Sequence, residues 1–381
     1  MSAGGRRWIP WVAIAAVAGV AGATAVFVVA PMLEHRNAER RYEAARIAWN
    51  EARDAWEEQY AEWDDAHQSA RAATDLAAAV TSEEALPYLD DELAADTQRL
   101  VALIDDATDA VPDAREPDAT APDPETTDEL IEVAEALDEQ EAAYTDAAGG
   151  YAEAAEALTG LVPELEDAIS DLRVSIPEQA AAIEEANISS STESRIRLYY
   201  AAETAATSDD SVDYYVEAYA EAAAAVEQSQ HDELAEKDQG DGLLETRLEV
   251  EEFVRSITGG VRVDFDWEPV VNGLGDGESA GGRVTWQYLD GGSATMELSN
   301  SVAAHWPDSR YESLVAHESG HVITAKCQDL LVDTFDGDAE LMATAWAIGM
   351  GYTDAWGNGV NFYYDGVVPA DDLVEATLAC R

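Results

Sequence analysis

The chain of 381 residues carries 79 acidic and 21 basic side chains, a formal net charge of −58 at pH 7. Such a field repels phosphate, which excludes nucleic acid and anionic lipid headgroups as partners. Ala, Asp and Glu dominate and only five Phe occur, a composition that suits long solvated helices better than one large core.

Met1 to Arg7 is short and basic, and Trp8 to Leu33 then runs 26 residues without a charge. About 20 apolar residues span a bilayer, so residues 1–33 are expected to form a cytoplasmic tip and a transmembrane anchor, with Trp8 and Trp11 at the interface. A cleaved signal peptide is the alternative, with Ala21, Gly22, Ala23 and Ala25 as small residues for a cleavage site. Arg6 and Arg7 lie on one flank and Arg36, Arg40 and Arg41 on the other, so charge counting does not orient the segment.

Residues 34–110 are expected to be coiled-coil helices. Tyr42, Trp49, Trp56 and Trp63 recur every seven residues, and Ala45, Ala52, Gln59 and Ala66 follow three positions later. Large rings alternating with small residues along one seam predict a closely approaching helical partner. Residues 111–127, VPDAREPDATAPDPETT, form an acidic Pro-rich linker that no helix crosses.

Residues 128–257 are expected to continue the helical stalk or bundle. Leu130, Ala134, Leu137, Glu141, Tyr144, Ala148, Tyr151, Ala155, Leu158, Val162, Leu165, Ile169, Leu172 and Ile176 alternate spacings of four and three. Gly149, Gly150, Gly160 and Pro163 are expected to bend or interrupt this seam. The small residues of the second seam offer room for the rings of the first, which predicts an antiparallel rod finished by helices at 194–206, 211–230 and 243–257. Self-association through the same seams is the other possibility.

At Gly259 the texture changes. Val261 to Trp267, Gly282 to Leu289 and Ser293 to Ser299 read as strands, the last two joined by the turn signal Asp290-Gly291-Gly292. The stretch LVAHESGHVI, residues 314–323, follows. On a helix His317 and His321 share a face and can reach one metal ion, and Glu318 stands beside them to take a proton from a water that bound zinc acidifies. Eighteen residues lie between His321 and Glu340, with Asp338 as N-cap of the helix that carries Glu340 and Ala343 and Ala347 on the same face.

This pattern resembles the gluzincins, the thermolysin-like and aminopeptidase-like zinc peptidases, and also the minimal peptidase domains that cleave phage repressors. The metzincin pattern fails, because Thr324 and Cys327 replace its Gly and third His. The resemblance covers roughly the last 120 residues and implies a minimal zincin-like α+β domain at residues 258–381. It implies Zn2+ held by His317, His321 and Glu340, with Glu318 as general base for peptide hydrolysis. By the same resemblance Ala294 to Ser299 is the candidate edge strand for substrate. Tyr352, Tyr363 and Tyr364 are candidate donors to the developing oxyanion, with none singled out by spacing and His305 no better placed.

Asp333, Asp336 and Asp338 either bind calcium or form a polar loop capping the next helix. Cys327 is either a thiolate ligand or, with Cys380, one half of a disulfide that places the bulk of the chain outside the cytoplasm. The expected fold class is therefore mainly α with this small α+β domain at the end. The expected function is that of a membrane-anchored, extracytoplasmic zinc metallopeptidase acting on peptides or proteins. A scaffolding coiled-coil protein with an inactive zincin-like domain is the alternative, and hydrolysis of another amide, as in the cell wall, is a third reading.

Overall fold

The computed structural model describes residues 12–111, 124–240, 242–275 and 279–380, with residues 12–29 as backbone only. Two compact units emerge, Met1–Ala79 with Ala95–Ser170, and Val80–Ala94 with Asp171–Arg381. Of the expected anchor, residues 8–11 lie outside the described residues and 12–33 belong to the first helix. Among the described residues no helix is long and apolar enough to cross a membrane. Most of the Pro-rich linker, residues 112–123, also lies outside them.

The first unit is built from α1 (Val12–Val80), α2 (Asp91–Asp109) and the first part of α3 (Thr127–Ala186). A capping box starts α3: the Thr126 hydroxyl accepts from the Glu129 amide at 3.2 Å, and the Glu129 carboxylate accepts from the Thr126 amide at 2.9 Å. Every member of the second seam except Glu141 is buried. The helix runs unbroken through Gly149, Gly150, Gly160 and Pro163, against expectation, because the apolar seam continues on both sides of each.

The two seams do pack together, with a different partnering. Trp49, Ala45, Ala52, Ala134, Leu137 and Tyr144 form one buried cluster. Rings meet rings: Trp56 lies 5.6 Å from Tyr144, Tyr60 lies 5.3 Å from Tyr151 and Trp63 lies 5.2 Å from Tyr151. The direction is also not the expected one. His35 bonds Thr127, Arg41 pairs with Glu135 and Asp138, Trp49 meets Tyr144 and Trp63 meets Tyr151, so both numbers rise together and α1 and α3 run parallel. With α2 and the linker between them, the chain returns once before α3 begins, which restores the direction of α1.

The second unit opens with a 3-10 turn at Leu86–Tyr88 and continues with α4 (Thr192–Thr207), α5 (Val212–Lys237) and α6 (Leu244–Ile257). Strands β1 (Arg262–Glu268), β2 (Gly282–Gln287) and β3 (Ser293–Ser299) form a mixed sheet in the order β1-β3-β2. β1 pairs parallel to β3, and β2 and β3 form the expected antiparallel hairpin. Its turn needs left-handed backbone at Asp290, Gly291 and Gly292, with φ of 58°, 81° and 91°, which explains the two glycines.

Helices α7 (Asn300–His305), α8 (Ser309–Thr324), α9 (Gln328–Asp333), α10 (Ala339–Gly349), α11 (Val360–Tyr363) and α12 (Asp371–Thr377) complete the unit. Val250 and Val254 of α6 share one core with Val263 and Phe265 of β1, Met296 and Leu298 of β3, and Val315 and Val322 of α8. The boundary expected at residue 258 therefore falls inside a core. Glu251 of α6, fully buried, locks the same junction: it pairs with Lys237 at 3.3 Å and Arg255 at 2.9 Å, and accepts from the Trp267 indole at 3.2 Å. Cys327 and Cys380 are joined in a disulfide with their Cα atoms 6.2 Å apart, which removes Cys327 as a thiolate ligand and ties the end of the chain beside α8.

Candidate metal centre

His317 and His321 lie one turn apart on α8, and Glu340 lies in the first turn of α10. Asp338 caps that helix as expected, accepting from the Leu341 amide at 3.0 Å. The helices come together at Gly320, where an added Cβ would sit 2.6 Å from the Ala343 Cα. Ala343 and Ala347 are fully buried. Small residues on both helices thus set the spacing that brings the carboxylate to the imidazoles. Ligand atoms of His317, His321 and Glu340 all lie within 4.8 Å of one another.

Glu340 Oε2 stands 3.0 Å from His317 Nε2 and 3.4 Å from His321 Nε2. Burial alone would raise the Glu340 carboxyl, but the hydrogen bonds from His317 and His321 outweigh it and hold the group well below the usual carboxylate range. Burial would lower His321, yet its bond to Glu340 and the charges of Glu318 and Glu340 outweigh that and raise it. On the far side of its ring, His317 Nδ1 lies 3.1 Å from the Asn358 carbonyl and 3.3 Å from the Thr344 hydroxyl. The Asn358 carbonyl can only accept, so Nδ1 is the donor there, and Nε2 faces Glu340 either through a hydrogen, as in the ion pair above, or through a shared cation. Two imidazoles and one carboxylate this close together could hold a metal ion.

Glu318 belongs to the same turn but not to the triad. Its side chain is buried, which pushes its carboxyl up, partly offset by His321 and His317. Gly282 of β2 lies against it so closely that an added Cβ would come within 2.4 Å of Oε1. Gly359, at φ 87°, makes a similar approach to His317 and Thr344, with its added Cβ 3.0 Å from each.

Of the three tyrosines, Tyr363 is at the site. Its ring stacks on His317 at 5.7 Å, and burial followed by the charges of Glu340 and Glu318 raises its hydroxyl, keeping it a proton donor at neutral pH. Tyr364 donates to Asp338 and Tyr352 packs on Phe253, so neither is placed for that role. His305 stacks on Tyr311 instead. Asp338, as N-cap and acceptor of the Tyr364 hydroxyl, follows the capping reading of its loop.

The edge strand differs from expectation. β3, which contains Ala294 to Ser299, is the central strand with both sides paired, so it cannot receive a substrate backbone. The edge is β2. The Gly281 carbonyl accepts from the Ser299 amide on the β3 side, so by antiparallel alternation Gly282, Val284 and Trp286 turn their backbone groups outward. The Gly282 carbonyl accepts from the Asn272 side chain at 3.1 Å, which leaves Val284 and Trp286 as the outward part of the edge. Trp286 also lays its ring parallel to His321, 5.9 Å away.

The structure brings together the three residues the sequence singled out, His317, His321 and Glu340, with Glu318 buried on the same helix as the two histidines. Sequence reasoning missed Gly320, Asn358, Thr344, Trp286, Gly282 and Gly359. The glycine-dense stretch 349–359, GMGYTDAWGNG, is the one signal that pointed toward a tight loop near the centre. No protein-family model, curated protein or solved structure matches the chain.

Proposed function

We propose that the chain is a zinc metallopeptidase whose centre is His317, His321 and Glu340, with Glu318 as general base. One observation carries this reading: two imidazoles and a carboxylate converge with their nitrogen and oxygen atoms within 4.8 Å of one another, while a further buried carboxylate stands alongside. Zinc bound there would polarise a substrate carbonyl and make a water easier to deprotonate. Glu318 takes that proton and passes it to the leaving amine. Tyr363 donates a hydrogen bond to the oxygen that gains charge, and the outward edge of β2 pairs with the peptide backbone to align the scissile bond.

The disulfide supports an extracytoplasmic site of action, and the uncharged segment 8–33 is the candidate anchor by its composition. The full chain, stripped with chelator and dialysed against micromolar zinc, should retain one zinc, and Glu340→Ala should retain little. Glu318→Gln should keep the metal while hydrolysis of a peptide library falls by about 10²-fold or more. A wild-type chain that holds no zinc, or a Glu318→Gln chain of equal activity, overturns the assignment.

A further inference from the structure

The two histidines of the candidate centre are held in different ways. His317 fixes its ring through Nδ1, which donates to the Asn358 carbonyl at 3.1 Å. His321 has no counterpart to that bond. Its Nδ1 is buried and meets no hydrogen-bond partner among the described residues. A histidine that ligates a metal ordinarily bonds its second ring nitrogen to a carbonyl, carboxylate or water, and that bond sets the plane of the imidazole. Something else must set it for His321, because the torsion that turns a histidine ring is broad and by itself holds no single plane.

The ring that lies along His321 is that of Trp286. The strand period of two sends Trp286, like Val284, to the face of β2 that packs on α8, while Arg283, Thr285 and Gln287 turn outward. The indole runs parallel to the imidazole within 6°, with ring centroids 5.9 Å apart, an offset stack. His317 stands nearly perpendicular to the same imidazole, at 87° and 5.0 Å. Trp286 is anchored in turn. Its indole N–H donates to the Tyr288 hydroxyl at 3.2 Å, and its side chain packs against both apolar clusters of the second unit. One of these clusters holds Ile323 and Met342, from the helices that carry His321 and Glu340.

Resting on the reading of this site as a zinc centre, we infer that Trp286 is a positioning residue for the metal: its indole holds the His321 imidazole in the plane that aims Nε2 at the point shared with His317 and Glu340. Stacking supplies what the Asn358 carbonyl supplies to His317. Trp286 acts on the metal only through His321.

The test reads the metal and needs no substrate. Zinc affinity of the full chain is measured by competition with a chromogenic chelator, ligand geometry by the visible absorption of the cobalt(II)-loaded chain, and stability by denaturation of the metal-free chain. Trp286→Leu, which stays apolar but removes the flat ring, should weaken zinc by about 10-fold or more, the usual cost of losing a group that orients a ligand. Its cobalt bands should differ from those of the wild type. Trp286→Phe keeps a flat face and should recover most of the affinity together with the wild-type cobalt spectrum. Tyr288→Phe, at a position 46 % exposed, removes the acceptor of the indole N–H and should weaken zinc by about 2-fold or more.

A residue that only filled space would lower the metal-free midpoint in Trp286→Leu and leave the cobalt spectrum unmoved, and that result overturns the positioning role. So does a loss of affinity that Trp286→Phe fails to recover. Should Trp286→Leu not fold, Tyr288→Phe decides, and wild-type affinity and spectrum there overturn the role. Each of these results leaves the centre standing, whereas a wild-type chain that binds neither metal overturns the centre and the role together.

Discussion

The aromatic seam of the first unit and the candidate metal centre of the second are both meetings of two helices, made in opposite ways. In the seam, α1 and α3 are joined by what their side chains add: Trp49, Trp56, Tyr60 and Trp63 on one side, and Tyr144 and Tyr151 on the other. At the centre, α8 and α10 are joined by what is left out, because Gly320 has no Cβ to hold Ala343 away. The first kind of contact is divided among many rings and fails one ring at a time. The second is concentrated at one position, and its failure would move a ligand.

The largest expected effect is therefore at the best-buried tryptophan of the seam. Trp49 is 7 % exposed, and Trp49→Ala should cost about 3 to 5 kcal/mol in chemical denaturation of the full chain. Trp56, only partly buried, should cost clearly less when changed in the same way. Neither change should alter the zinc retained per chain, since both lie in the other unit. Equal costs at the two positions would mean that the seam is not organised around the Trp49 cluster.

The seam was legible because its information is periodic: thirteen of the fourteen positions from Leu130 to Ile176 are buried, as spacings of four and three require. Its direction was not, because a heptad pattern reads the same for parallel and antiparallel partners, and only the return through α2 decides between them. The convergence of the candidate ligands was legible for a similar reason, since His317 and His321 are one helical turn apart and Glu340 follows an N-cap. What surrounds them arrives from distant segments, β2 and the loop at 357–359, whose approach depends on tertiary packing. Strand order escaped for the same cause. The hairpin of β2 and β3 is a local signal, whereas the parallel pairing of β1 with β3 that makes β3 central is not.

The concentrated contact breaks at Gly320. Gly320→Ala places a methyl 2.6 Å from backbone of α10, which cannot turn aside as a side chain would. Overpacking of this kind costs about 1 to 3 kcal/mol, and any separation of the helices carries Glu340 away from the imidazoles. Zinc affinity should fall along with stability. A Gly320→Ala chain with unchanged zinc affinity would show that the two helices are held in register by something other than their close approach.

The smallest effect is the one that separates the two kinds of helix contact most cleanly, because it asks the same substitution of a glycine in the other unit. Gly149 lies within α3 on an exposed face, and an added Cβ there meets nothing within 4 Å. Its backbone is helical, so alanine fits without strain and removes freedom from the unfolded chain. Gly149→Ala should therefore stabilise the full chain by about 0.5 to 1 kcal/mol, opposite in sign to Gly320→Ala. The comparison is internal, with one methyl added to one helix in each case, so helix propensity favours both variants equally and the difference isolates the neighbour. Denaturation midpoints of the two variants beside the wild type supply the reading. If Gly149→Ala also destabilises, α3 uses its glycines for a contact, and the seam would share the dependence on missing side chains that marks the meeting of α8 and α10.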